Sequence, residues 1–232
     1  MKKGLIALFV LAVLLVLVGC GSQPAVTPTE APTAAPTEAP TEAPATEAPA
    51  TNEITTSDAE REAGRPIFVI TLEDGAQLRG ELYPDVAPQS VGNFIELANS
   101  GFYDGLTFHR AVPGFMIQGG DPLGNGTGGP GWRIKGEFSA NGVPNDILHE
   151  AGVLSMARSS ANDSAGSQFF VMVAKATHLD GKYAAFGRVL TGAEYADTIA
   201  NAPREGETPI APQVIRSIRV ETFGKEYPFD KL

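Results

Sequence analysis

The chain has 232 residues, of which 43% are hydrophobic and 19% charged, enough apolar material for one large domain or two small ones. A formal net charge of −10, with no basic stripe, argues against a nucleic-acid binder. The single cysteine, Cys20, excludes disulfide bonds within the chain, and the three scattered histidines suggest no zinc site, so we expect neither metal nor cofactor.

The N-terminal segment has the pattern of an export signal. A short basic start, Met1-Lys2-Lys3, precedes an uninterrupted apolar run over residues 4–18. The run is shorter than the ~20 residues of a comfortable membrane span, so it predicts a signal peptide over residues 1–19. The ending Leu17-Val18-Gly19-Cys20 resembles a bacterial lipobox, which implies that Cys20 is lipidated and becomes the first mature residue. An ordinary signal peptide, or an uncleaved anchor with a chance cysteine, is the alternative.

Residues 20–60 are predicted to form the lipidated cysteine and a disordered tether. They consist mainly of Ala, Pro, Thr and Glu, with near-repeats such as Thr41-Glu42-Ala43-Pro44. Proline lacks an amide donor and fixes φ, so neither helix nor strand persists, and no apolar face offsets the ordering entropy. We therefore expect a negatively charged spacer in front of one folded domain over residues 61–232.

The folded domain is predicted to be mainly β. Two segments have a helical pattern: residues 88–98, where Pro88 suits the first turn, and residues 194–201. Eight segments have the composition and turn boundaries of strands: residues 66–72, 76–83, 106–110, 115–119, 152–157, 168–173, 184–190 and 214–222. Short strands with turn-rich connections predict a closed, eight-stranded antiparallel β-barrel with two flanking helices, because closure removes exposed edges.

Two stretches carry the strongest functional signal. Residues 108–121 read FHRAVPGFMIQGGD, and residues 166–171 read GSQFFV. Both resemble the signature of the cyclophilin family of peptidyl-prolyl cis–trans isomerases, and Ser155-Met156-Ala157 lies between them in the order that the family shows. The resemblance extends over residues 66–222. It implies a cyclophilin-like fold and isomerisation of X–Pro bonds without a cofactor.

The resemblance also implies a site, residue by residue. Arg110 matches the catalytic arginine, and Gln118 matches the side chain that acts beside the prolyl amide. The positions that match substrate-binding residues are Phe115, Met116, Phe170 and Leu179 in the apolar pocket for the proline ring, Ala157, Arg158 and Gln168 for the residues before proline, and His178 and Tyr183 near the rim. His178 falls where many eukaryotic members of the family have Trp, Tyr183 falls where they often have His, and Arg158 replaces an Asn. These departures affect ligand preference more than catalysis.

The chemistry of the reaction suits these residue types. Amide resonance creates a rotation barrier of about 18–20 kcal/mol, and a site lowers it by binding the twisted amide better than either planar form. The proline nitrogen becomes pyramidal in the twisted state and gains a lone pair. The permanently charged guanidinium of Arg110 can donate to that nitrogen, and so stabilises charge that develops only during rotation.

We therefore expect a lipid-anchored, monomeric isomerase on the extracytoplasmic face of the cell membrane. Its partners would be proline-containing polypeptides that fold after export, and it would bind no nucleic acid. A proline-peptide-binding module or holdase chaperone with incidental turnover is the alternative, and a structural lipoprotein that binds no proline peptide is a third. The Ala-Pro units of the tether are also candidates for weak self-competition, since a flexible link gives them an effective concentration in the mM range.

Overall fold

The computed structural model describes residues 54–232, so the predicted signal peptide, Cys20 and most of the predicted tether lie outside the described residues. The described chain opens with helix α1 (Asp58–Ala63), which begins with reciprocal hydrogen bonds between Ser57 and Glu60. Glu60 also accepts a hydrogen bond of 2.7 Å from Nη2 of Arg79. The boundary predicted at residue 60 therefore falls inside a helix. No helix within residues 54–232 is long and apolar enough to cross a membrane.

Eight strands form one antiparallel sheet, and two shorter strands form a separate hairpin. In chain order the strands are β1 (Ile67–Leu72), β2 (Gln77–Leu82), β3 (Arg110–Val112), β4 (Met116–Gly119), β5 (Val153–Met156), β6 (Phe169–Met172), β7 (Ala185–Thr191), β8 (Arg204–Glu205), β9 (Thr208–Pro209) and β10 (Ile215–Glu221). The order across the large sheet is β10-β1-β2-β7-β5-β6-β4-β3. The mainly β prediction is confirmed, but the strand predicted over 106–110 begins only at Arg110 and continues to Val112.

The predicted closed barrel is wrong, because within residues 54–232 no ladder joins the edge strands β3 and β10. One isolated bridge, between Thr107 and Val214, connects the segments that precede them. The N–H of Ala111 in β3 donates instead to the carbonyl of Glu207, at 2.8 Å. The β8–β9 hairpin, whose turn contains Glu207, therefore covers the edge of β3, which a neighbouring strand would cover in a closed barrel.

The helices α2 (Pro88–Asn99) and α3 (Ala193–Ala200) match the two predicted helices closely. α2 buries Val91, Phe94 and Leu97, and the ring of Phe94 meets that of Phe169 edge-on at 5.4 Å. Phe169 belongs to the main core, whereas the next residue, Phe170, belongs to a second apolar cluster. Adjacent strand residues face opposite sides of a sheet, so β6 supplies one ring to the core and the other to a surface cavity.

The N-terminus of α2 is capped by a side chain from a distant loop. Its N-cap position, Ala87, offers no side-chain hydrogen bond. The carboxylate of Glu137 accepts from the N–H groups of Gln89 and Ser90, both at 2.8 Å, and from the Ser90 hydroxyl at 2.7 Å. Glu137 is only 3% exposed, and burial raises the pKa of its carboxyl despite these bonds. The free N–H groups that begin a helix are thus satisfied from outside it.

Candidate active site

A small cavity of about 150 Å³ lies over the second apolar cluster. Its apolar floor consists of Phe115 in the turn before β4, Met116 of β4, Phe170 of β6 and Leu179 of a short 3₁₀ helix (Thr177–Leu179). The full lining consists of Arg110, Phe115, Met116, Gln118, Ala157, Arg158, Phe170, Leu179 and Tyr183. A concave apolar floor with a few polar groups at its edge suits a small ring that carries an amide.

Strand register explains why the polar groups meet at one edge. Arg110 of β3 pairs with Gln118 of β4, and Gln118 in turn pairs with Phe170 of β6. Directly opposed residues on neighbouring strands present their side chains on the same face. The sheet therefore places a guanidinium, an amide and a phenyl ring side by side.

A chain of hydrogen bonds runs from the guanidinium into the glycine-rich loop that follows β4. Nη1 of Arg110 donates to Oε1 of Gln118 at 3.3 Å, and Nε2 of Gln118 donates to Oε1 of Gln168 at 2.9 Å. Nε2 of Gln168 donates to the carbonyls of Gly126 and Gly128, at 3.1 and 2.9 Å. These hydrogen bonds restrict the side-chain torsions of Gln118, and Gln118 in turn restricts the orientation of the Arg110 guanidinium.

Arg110 also pairs with a carboxylate that sequence reasoning missed. Its Nε donates to Oε2 of Glu207 at 2.6 Å, and its Nη2 donates to Oε1 at 3.3 Å. The hydrogen bond from Arg110 lowers the pKa of Glu207. The two residues are 97 positions apart in the chain, so no local pattern reveals the pair. The turn signal at Gly206 was the available hint that Glu207 sits on a hairpin.

Replacing Glu207 with glutamine should lower kcat/KM about two- to fivefold, with little change in peptide affinity, because a partly exposed ion pair is worth at most ~1 kcal/mol. The pair depresses the pKa of Glu207, so its contribution should persist above the ordinary carboxyl range and disappear as the pH falls through the lowered pKa. A pH profile of kcat/KM for wild type and Glu207→Gln measures both effects.

The matched control for that experiment is Glu205→Gln, which changes an exposed glutamate in the same hairpin. It should leave the rate and the pH profile unchanged. An equal loss of activity in the Glu205 variant, or an acid limb that persists unchanged in Glu207→Gln, would show that Glu207 does not position Arg110.

The remaining predicted residues surround the cavity. His178 is exposed and outside the lining, and its ring lies against that of Phe115, with centroids 5.5 Å apart. Tyr183 lines the cavity edge-on to Phe170, at 5.9 Å. Gln168 lines an adjoining groove of about 950 Å³, which shares Gln118, Ala157 and Arg158 with the cavity. The structure thus brings the predicted catalytic and substrate-binding residues to one face of the molecule.

A buried histidine supports the cavity floor from behind. The ring of His149 stacks on Phe170 at 6.0 Å, with Nδ1 3.0 Å from Oδ1 of Asp180 and Nε2 3.1 Å from Oγ of Ser155. Burial lowers the pKa of His149. The contacts from Asp180 to His149 and from His149 to Ser155 resemble those of a hydrolase triad. Ser155, however, has no exposed surface and cannot reach a substrate. Among residues 54–232, no group of three His, Cys, Asp or Glu side chains could hold a metal ion.

Comparison with known proteins identifies relatives of this domain. The family model described as cyclophilin type peptidyl-prolyl cis-trans isomerase/CLD matches residues 67–220. Peptidyl-prolyl cis-trans isomerase B of Bacillus subtilis is 49% identical over 150 residues, which cover 65% of this chain and 94% of that protein. A peptidyl-prolyl cis-trans isomerase of Helicobacter pylori is 44% identical over 135 residues, covering 58% of this chain and 79% of that protein.

A solved structure shows a similar fold. The cyclophilin type peptidyl-prolyl cis-trans isomerase of Cryptosporidium parvum, crystallised in the presence of the dipeptide Ala-Pro, superposes with a TM-score of 0.61 at 33% identity. The match covers 67% of this chain and 98% of that one.

Proposed function

Because the chain belongs to the cyclophilin-type family of peptidyl-prolyl cis–trans isomerases, and is itself such an isomerase, we propose that it acts on exported polypeptides at the outer face of the cell membrane. The observation that supports the site assignment is the position of the Arg110 guanidinium at the edge of an apolar cavity. The cavity accommodates the proline ring, and the arginine faces the amide that must rotate.

The contacts of Arg110 leave it able to act on that amide. Glu207 takes Nε and one Nη2 proton, and Gln118 takes an Nη1 proton. A guanidinium has five N–H groups, so an Nη2 proton remains for the substrate. The contact of Nη1 with Sδ of Met116, at 3.9 Å, is weak and easily replaced. Rotation breaks no covalent bond, so a fixed donor and a fixed ring are the groups that the reaction requires.

Different groups at the cavity bind the proline ring and accelerate the rotation. Phe115, Met116, Phe170 and Leu179 hold the proline ring by apolar contact, which is the same for the cis, trans and twisted forms. Arg110 donates to the nitrogen most strongly when its lone pair is released by twisting. Its interaction is therefore stronger in the transition state than in either ground state, which is the condition for a rate increase.

The proposed location rests on the N-terminal sequence. The basic start, the apolar run over residues 4–18 and Cys20 together have the pattern of a lipoprotein signal, and the Ala/Pro/Thr/Glu-rich segment has that of a spacer. We expect the full chain, expressed in a bacterium, to enter the membrane fraction and to incorporate labelled palmitate. Protease added to intact spheroplasts should digest it.

The variant that tests the anchor is Cys20→Ala in the full chain. It should lose the palmitate label while keeping the isomerase activity, because Cys20 lies outside the domain that contains the cavity. A wild-type chain that stays in the cytoplasmic fraction without label would contradict the proposed location and leave the isomerase assignment untouched.

A further inference from the structure

The guanidinium of Arg158 lies at the boundary between the proline cavity and the larger groove, and it contributes to the lining of both. It lies over the rings of Phe138 and Tyr183, 4.9 and 4.7 Å from their centroids. Its Nε and Nη2 donate to the carbonyl of Lys182, at 3.2 and 3.0 Å. Ring stacking and backbone hydrogen bonds therefore hold the charge in one position.

No carboxylate neutralises this charge within residues 54–232. The guanidinium of Arg110 pairs with Glu207, but that of Arg158 donates only to backbone carbonyls, those of Lys182, Ser159 and Ser160. The other described arginines that form ion pairs are Arg65, Arg79, Arg188 and Arg219. Arg158 is thus a preorganised cation beside the substrate cavity, in a chain whose net charge is −10.

The side chains of the groove leave a positive balance. The lining contains a second cation, the exposed Arg133, one acidic side chain, Asp163, and the last residue of the sequence, Leu232. The carboxylate of Asp163 is occupied by the Gly136 N–H at 2.9 Å and by Nδ2 of Asn141 at 2.7 Å. The groove therefore has more positive than negative side chains, and the charge nearest the proline cavity is positive.

Distance indicates which substrate position meets the cation. The Tyr183 ring lies 4.7 Å from the guanidinium and 5.9 Å from the Phe170 ring, so the guanidinium is within about 11 Å of the cavity floor. An extended peptide advances about 3.3–3.6 Å per residue, so the residue two places before proline starts about 7 Å from it, and a glutamate side chain spans the remainder. Resting on the proposed function of the same groove, we propose that Arg158 selects peptides with a carboxylate two residues before proline.

The chain itself contains this chemistry in its N-terminal segment. Its sequence includes four Glu-Ala-Pro units: Glu30-Ala31-Pro32, Glu38-Ala39-Pro40, Glu42-Ala43-Pro44 and Glu47-Ala48-Pro49. An apolar cavity alone gives these glutamates no benefit, whereas a cavity with a cation beside it does. The same acidic-residue–Ala–Pro chemistry also occurs in other polypeptides, so the experiment must distinguish an internal from an external source.

The test compares three peptides in one frame, carrying Glu-Ala-Pro, Gln-Ala-Pro or Ala-Glu-Pro, with the full chain as enzyme. We expect kcat/KM for Glu-Ala-Pro to exceed that for Gln-Ala-Pro about three- to tenfold, and the ratio to fall as salt is added. In Arg158→Gln the ratio should approach one, and in Arg158→Lys it should be intermediate. Arg216→Gln, which changes an exposed arginine outside both linings, should keep the wild-type ratio.

The outcomes separate this inference from the assignment of the enzyme. If wild type isomerises no peptide, the proposed function fails. If it isomerises the Glu and Gln peptides equally, Arg158 does not select charge and only this inference fails. An equal preference for Ala-Glu-Pro would overturn the assigned position. Should Arg158→Gln fail to fold, a Lys-Ala-Pro peptide supplies the same test with wild type, which should isomerise it more slowly than Gln-Ala-Pro.

A second variant identifies the source of the ligand. Replacing Glu30, Glu38, Glu42 and Glu47 with glutamine in the full chain removes the internal carboxylates and leaves the domain intact. A lower KM for the external Glu-Ala-Pro peptide in this variant would assign the tether as a competitor for the Arg158 site. An unchanged KM would assign the site to other polypeptides.

Discussion

Replacing Arg110 with alanine should reduce kcat/KM for an Ala-Pro peptide by about 10²–10³, since one preorganised donor contributes ~2.7–4 kcal/mol to the transition state. The apolar floor formed by Phe115, Met116, Phe170 and Leu179 stays intact, so the dissociation constant of the peptide should change little. Stopped-flow measurement of isomerisation, together with titration of a non-reacting proline peptide, separates the two quantities.

The variant should remain folded. Arg110 lies at the surface edge of the cavity, and the Glu207 side chain that loses its partner is 56% exposed, so water can solvate the freed carboxylate. Arg110→Lys should retain part of the activity, because it keeps the charge but not the planar fork. Arg216→Ala serves as a control for the loss of a surface arginine. A folded Arg110→Ala protein with near-normal turnover would eliminate the mechanism.

The second large effect concerns stability, and it comes from the carboxylate that caps α2. Glu137→Ala should lower the free energy of unfolding by about 2–4 kcal/mol, because it leaves the buried Ser90 hydroxyl and N–H and the Gln89 N–H without their acceptor. Urea denaturation measures the loss. The kcat/KM of the folded variant should remain close to that of wild type, since Glu137 does not line the cavity.

Two further variants define the cause of that loss. Glu226→Ala removes an exposed glutamate and should leave stability unchanged. Glu137→Gln keeps one acceptor oxygen and should lose less stability than Glu137→Ala.

Because burial raises the pKa of Glu137, the folded state holds its proton more tightly than the unfolded state. The contribution of this residue should thus decline as the pH rises between the two pKa values, and the decline should be absent in Glu137→Gln. Equal stability of wild type and Glu137→Ala would contradict the capping role.

The sequence predicted the elements whose signal is local. The strand predicted over residues 168–173 is present as β6, and Pro88 marks the start of α2 as predicted. Residues 57–60 lie in the segment that was predicted to be a disordered tether, but Ser57 and Glu60 form a capping box at the start of α1. A short local motif and the surrounding composition then pointed to different structures.

The features that the sequence did not predict depend on contacts between distant segments. Glu207 reaches Arg110 across 97 residues, and Glu137 caps Ser90 across 47. Sheet closure was mispredicted for the same reason, because strand periodicity says which face is buried but not whether two edge strands meet. The segment over 106–110 has a strand-like pattern, yet only Thr107 forms a bridge, to Val214.

The charge of the groove is a further case. The resemblance to the family indicates that Arg158 replaces an asparagine, but the sequence does not show what surrounds the guanidinium. Phe138 and Tyr183 come from different loops, and only the fold brings their rings to it. The absence of a carboxylate partner within the described residues likewise appears only in three dimensions.

We propose that this chain accelerates rotation about X–Pro bonds through Arg110. Exchange spectroscopy by NMR measures it directly, because it follows cis and trans signals of an Ala-Pro peptide at equilibrium and needs no coupling protease. Catalytic amounts of the full chain should give exchange cross-peaks within seconds, whereas the uncatalysed bond takes tens to hundreds of seconds. Arg110→Ala should bind the peptide and give almost no cross-peaks. Exchange at the uncatalysed rate with wild type, or equal exchange with both proteins, would contradict the account.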